Sequence, residues 1–350
     1  MTAPERFQPR PSQQKILEYV ETGGWMGVSA VPGSGKTHIL SYLAAELLAK
    51  IRDEQEILVV TLVNAAVDNF RRRIDGFVRA RGLLTGFGYR VCTLHSLAYE
   101  IVRERPSLVG LDADFEIVDE RAADRLLDEV VDGWLSAHPA LMEDYLNSEL
   151  DERTLHKLRR RDIPALVKSI AAVFIKRAKD RHLTPPALAD FYNRHPVRLP
   201  LAEMGIHIYR EYQARLSRTG VDFDDLIRLA SLALDLDPDF AARLRQRWPY
   251  ILEDEAQDSS QLQERILRAL AGAEGNWVRV GDPNQAIYET FTTASPLNLL
   301  NFLAEEGVRS LPMPESGRSS HSIIALANYL IDWTQSEHPL PAARRALNPP

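Results

Sequence analysis

The sequence predicts an α/β fold, a parallel β-sheet flanked by helices and interrupted by a long helical insert. Three observations predict it. The stretch Gly27-Val28-Ser29-Ala30-Val31-Pro32-Gly33-Ser34-Gly35-Lys36-Thr37 reads as a short apolar strand, a glycine-bearing turn and a helix whose apolar positions Leu40, Leu43 and Leu47 recur at helical spacing. Short apolar runs at 56–61, 89–93, 248–252 and 277–280 alternate with helical patterns, as in a sheet wound through helical crossovers. From about residue 108 to 218 long helical patterns follow one another with no convincing strand.

The first stretch is a phosphate-cradling loop. Gly33 and Gly35 permit backbone angles that aim the N–H groups of Gly33-Ser34-Gly35 inward, and a helix beginning near Lys36 adds the positive end of its dipole. Lys36 is placed to reach terminal phosphates as a point charge, and the Thr37 hydroxyl to hold a bridging magnesium ion. Ala30 takes the first position of the usual pattern in place of glycine and is small enough for it.

Composition bounds the rest. A chain of 350 residues with 45% hydrophobic content can bury more than one core, so two to three domains are expected. No apolar run approaches a membrane span and the amino-terminal residues lack a signal peptide's apolar segment, so a soluble, cytoplasmic protein is expected. Cys92 is the only cysteine, which excludes an internal disulfide and a thiolate zinc cage. The net charge of −7 argues against a general coat of positive charge but leaves room for a local basic groove.

Taken in order, Gln14 opens a helical pattern, and a side-chain amide that both donates and accepts suits the edge of adenine. Segments 61–64 and 93–96, with Asn64 and His95, follow the second and third strands. Ligands of parallel sheets bind beyond those carboxyl ends. In the insert, 156–161 and 176–182 concentrate positive charge, either as solvated helix faces or as contacts to a phosphate backbone. The run Glu253-Asp254-Glu255-Ala256-Gln257-Asp258 sets four carboxylates in six positions, which repel unless a positive charge such as a magnesium-nucleotide sits nearby. There Asp254 holds the metal and Glu255 orients and deprotonates an attacking water. Gln285, after the strand at 277–280, is placed to feel a terminal phosphate.

Together these segments resemble the ATP-binding half of the UvrD/Rep/PcrA family of superfamily 1 DNA helicases, most specifically through Asp254-Glu255-Ala256-Gln257-Asp258 and Gly281-Asp282-Pro283-Asn284-Gln285-Ala286-Ile287-Tyr288. The resemblance implies a RecA-like P-loop NTPase fold at 1–107 and 219–300, a helical insert at 108–218, and the incomplete beginning of a second RecA-like domain at 301–350. It implies ATP and Mg2+ as cofactors, Gln14 at adenine, Gly33 to Thr37 at phosphate, and Thr37 and Asp254 at the metal. Glu255 is implied as base, Gln285 as γ-phosphate sensor and Arg318 as a γ-phosphate arginine. Single-stranded DNA or DNA junctions are the implied partner, gripped by Asn64 and His95, with Phe291 in a stacking role. The implied activity is 3′-to-5′ ATP-dependent unwinding. The 32 residues after Arg318 are too few for a second RecA-like domain, so a second chain supplying the other half is one expectation, and a nucleotide-dependent binding module without efficient turnover is the alternative. Leu62, Ala65 and Gly317 stand where the family often places an aromatic, a lysine and a tyrosine.

Overall fold

The computed structural model describes residues 7–139, 150–286, 295–345 and 347–348, which gather into two compact units. One contains the described residues up to Leu97 and those from Leu234 onward, and the other spans Ala98–Ala233.

The first unit is built on six parallel strands: β1 (Trp25–Ala30), β2 (Ile57–Thr61), β3 (Tyr89–Thr93), β4 (Tyr250–Glu253), β5 (Asn276–Gly281) and β6 (Arg309–Met313), in the order β3-β2-β4-β5-β1-β6. β2 is buried at all five positions, as its unbroken apolar run demands of a strand covered on both faces. The helix Lys36–Leu47 sets Ile39, Leu40, Leu43 and Leu47 against Val28, Val59, Leu252 and Val280. At about 1.5–3 kcal/mol for each fully buried aliphatic side chain, this cluster is the main source of stability in the unit. The helix after β2 runs from Asn64 to Ala80, because Val67, Phe70, Ile74 and Val78 continue one buried stripe.

β6 joins the same sheet. Residues 301–350 were expected to begin a second domain, yet Arg309–Met313 pairs in parallel with β1, Met26 opposite Arg309 and Ala30 opposite Met313. Pro312 is tolerated because β6 is an edge strand with no neighbour on its far side. The helix His321–Glu337 that follows buries none of its residues.

The second unit is helical and, among the described residues, contains no strand beyond an isolated parallel bridge between Ile117 and Val221. The helices Glu120–Ala137, Ile163–Asp180 and Pro200–Leu216 share a core that includes Val131, Ala171, Ile175, Met204 and Ile208. The unit is wider than the expected 108–218. It also corrects the reading of the 176–182 basic cluster. Lys179 is fully buried, its Nζ 2.5 Å from Asp222 Oδ2 and 3.0 Å from Asp225 Oδ2, with the Tyr212 ring beside it. Val221-Asp222-Phe223-Asp224-Asp225-Leu226 therefore neutralises a buried lysine, and Lys179 is absent from the basic surface.

Candidate nucleotide site

Strand order explains why distant segments meet. β4, β5 and β1 are neighbours, and each ends at a candidate segment: β1 at the glycine loop, β4 at Asp254, and β5 at Asp282. In the loop Gly33 (φ 75°) and Gly35 (φ 90°) occupy left-handed backbone conformations that a side chain would strain, and Gly35 caps the helix that begins at Lys36.

The side chains converge as follows. Thr37 Oγ1 donates to Asp254 Oδ2 at 3.0 Å. Lys36 Nζ donates to Gln285 Oε1 at 3.2 Å and lies 3.7 Å from Glu255 Oε2. Asp254 is buried and its second oxygen, Oδ1, has no hydrogen-bond partner among the described residues. Burial first, and the adjacent Glu255 charge second, push its carboxyl up to about 7. The buried Ser34 hydroxyl also lacks a partner. Glu255, half-exposed, sits at φ 56°, a left-handed conformation that costs a non-glycine residue about 1–3 kcal/mol and persists only where its surroundings enforce it. A loop of inward-turned glycines, a lysine, a hydroxyl and a carboxylate with one open oxygen is a donor set that fits a nucleotide triphosphate with a divalent cation.

Other expected residues fare differently. Arg318 is exposed but begins at the loop: Gly317 N donates to Gly33 O at 3.0 Å, and a Cβ added to Gly33 would lie 2.6 Å from Arg318 Cβ. Gln14 is corrected. It is exposed, whereas Gln13, one residue earlier, is buried and donates from Nε2 to Ser34 O at 3.1 Å. A helix one residue out of register moves a side chain by about 100°, and only the buried stripe through Ile16 selects between them. Asn64 is exposed at the start of its helix after β2. His95, after β3, lines a cavity of about 30 Å³ with Thr61, Leu62, Asp254 and Glu255, so the candidate strand-gripping segments abut the acidic cluster. Phe291 lies outside the described residues.

Three functional neighbours escaped the sequence reading. Arg10 donates from Nη1 to Glu315 O and from Nη2 to Ser34 O, both at 2.7 Å, joining the glycine loop to the segment before Arg318. Gln257 donates to Glu255 Oε2 at 2.9 Å and accepts from Asp282 N at 3.0 Å, and a Cβ on Gly281 would fall 2.6 Å from its Oε1. Arg279, with no exposed surface, pairs with Glu253, so the charge that balances this member of the acidic run comes from the protein itself. The signal for that pair was present as one acidic and one basic residue in two otherwise buried strands.

Residues 10–306 match the model of the UvrD/REP helicase N-terminal domain. The chain is 30% identical over 322 residues to DNA helicase II of Haemophilus influenzae, covering 89% of this chain and 40% of that protein. It is 30% identical over 332 residues to the ATP-dependent DNA helicase PcrA of Leuconostoc citreum, with 93% and 39% covered. Against the ATP-dependent DNA helicase Rep of Escherichia coli the identity is 27% over 328 residues, with 92% and 43% covered. The chain thus spans about two-fifths of the length of these relatives. With the all-parallel sheet, the glycine loop and the acidic strand end in place, the chain belongs to the UvrD/Rep helicase family, in its N-terminal domain.

Proposed function

We propose that this chain is the ATP-binding motor half of a DNA helicase, binding Mg2+-ATP at the ends of β1, β4 and β5 and single-stranded DNA beyond β2 and β3. The observation that carries the reading is the pairing of Thr37 with Asp254 at 3.0 Å, with the other Asp254 oxygen buried and open. Thr37 and Asp254 are the residues that would hold the magnesium ion, whose chemistry when bound is to neutralise phosphate charge. Lys36 releases Gln285 and Glu255 to meet the terminal phosphates. Glu255, freed from Lys36 and held by Gln257, orients the attacking water and takes its proton. Gln285 turns from the lysine toward the terminal phosphate, and Arg318 extends from beside Gly33 to the same place. Asn64 and His95 contact the DNA backbone, with the 3′-to-5′ polarity that the family resemblance implies. The opposing half of the motor comes from further sequence or from a second chain.

The test is hydrolysis by the purified chain with and without single-stranded oligonucleotide. Glu255→Gln should bind Mg2+-ATP as the wild type does and lose at least about 100-fold in hydrolysis, the usual scale of a lost general base. Equal hydrolysis by the two would remove Glu255 from its role.

A further inference from the structure

Glu255 needs something to hold its left-handed backbone, and the turn that carries it is closed from both sides. Asp258 N donates to Glu255 O at 3.0 Å, and Ser259 Oγ donates at 2.6 Å to Glu253 Oε1, across the turn that contains Asp254 and Glu255. Glu253 is 2% exposed and stands opposite Arg279 in the β4–β5 register. Arg279 Nε donates to Glu253 Oε2 at 2.8 Å and Nη2 to Oε1 at 3.4 Å. The guanidinium sits beside the Trp277 and Phe302 rings, 4.8 and 5.0 Å from their centres, and Nη1 is 2.9 Å from Glu264 Oε2. Glu264 in turn accepts from Arg268, which is bidentate on Glu305.

An ion pair this deeply buried adds little net stability over an apolar pair of the same volume. The neighbouring positions Ile251, Leu252, Val278 and Val280 show that the sheet accepts apolar residues here. What an apolar pair would not supply is the acceptor for Ser259. We propose that Arg279, Glu253 and Ser259 form a clamp that holds the Asp254–Glu255 turn, making all three positioning residues for nucleotide hydrolysis. Arg279 fixes the Glu253 carboxylate, Glu253 fixes Ser259, and the closed turn keeps the Glu255 backbone in its strained conformation. The inference rests on the function proposed above.

Ser259→Ala removes one hydroxyl, Ser259→Thr keeps it, and Glu253→Leu/Arg279→Met replaces the pair with apolar volume. In the nucleotide-free chain, amide hydrogen exchange over 254–259 should be about tenfold faster in Ser259→Ala and in the double variant, and near wild type in Ser259→Thr. Single-turnover hydrolysis should fall about tenfold in the first two with Mg2+-ATP affinity changed less than about twofold, and Ser259→Thr should recover it. Wild-type exchange and hydrolysis in Ser259→Ala and in the folded double variant would overturn the clamp alone. A wild-type chain that fails to bind Mg2+-ATP would overturn the function reading, and the clamp's catalytic role with it.

Discussion

Asp254 is held by two opposed demands. The magnesium-holding role proposed for it asks for a carboxylate, while burial and the neighbouring Glu255 charge favour the protonated acid and raise its pKa to about 7. The sign follows from proton counting. The unfolded chain releases this proton near 3.8 and the folded chain near 7, so between those values the folded state binds more protons and its stability falls as pH rises. Asp254→Asn, neutral throughout, should match the wild type near pH 4 and be progressively more stable than it up to about pH 7, without further divergence above. Denaturant unfolding of the nucleotide-free proteins at several pH values measures this, and parallel curves would place Asp254 in a far more hydrated setting. At this scale the glycine loop and the acidic run at 253–258 were legible because such segments are tied to residue type and order. Gln13 and Arg10 were not, because a buried amide and an arginine bridging two backbone carbonyls leave the same trace in a sequence as their solvated neighbours.

The helices of the second unit separate two uses of positive charge that look alike as letters. Lys179 is inside, held by Asp222 and Asp225, and its removal leaves two buried carboxylates without their cation. Lys179→Met should therefore cost about 3–5 kcal/mol, read by denaturant unfolding, and a loss below about 1 kcal/mol would show that water reaches the cluster. Arg159, Arg160 and Arg161 are outside, exposed on the π-helical turn Leu158–Asp162. If they meet a DNA backbone, replacing all three with Ala should flatten the salt dependence of oligonucleotide binding by up to about two units of slope while leaving Mg2+-ATP binding intact. An unchanged slope across two or three salt concentrations would make that turn a solvated face. Strands showed the same division between what was legible and what was not. The four apolar runs announced β2 to β5, but β6 reads Arg-Ser-Leu-Pro-Met, and only the free edge of β1 makes a strand of it.

The whole molecule was legible as an order of segments. The strand-loop-helix at 27–37, the acidic strand end at 253–258 and the glycine-aspartate strand end at 281–285 stand more than 200 residues apart at the extremes, and a parallel sheet with β1 beside β5 and β5 beside β4 brings them together. What the order did not reveal was how charge inside the sheet is balanced, since Glu253 and Arg279 meet only through strand register. We propose that Lys36, Thr37 and Asp254 converge on a Mg2+-nucleotide site. Calorimetric titration of ATP into the purified chain, with magnesium and then with a chelator, tests it directly against Lys36→Ala. Magnesium-dependent binding to the wild type and none to the variant is the expected result, whereas equal affinity in both, or wild-type binding indifferent to magnesium, would remove the nucleotide from this site.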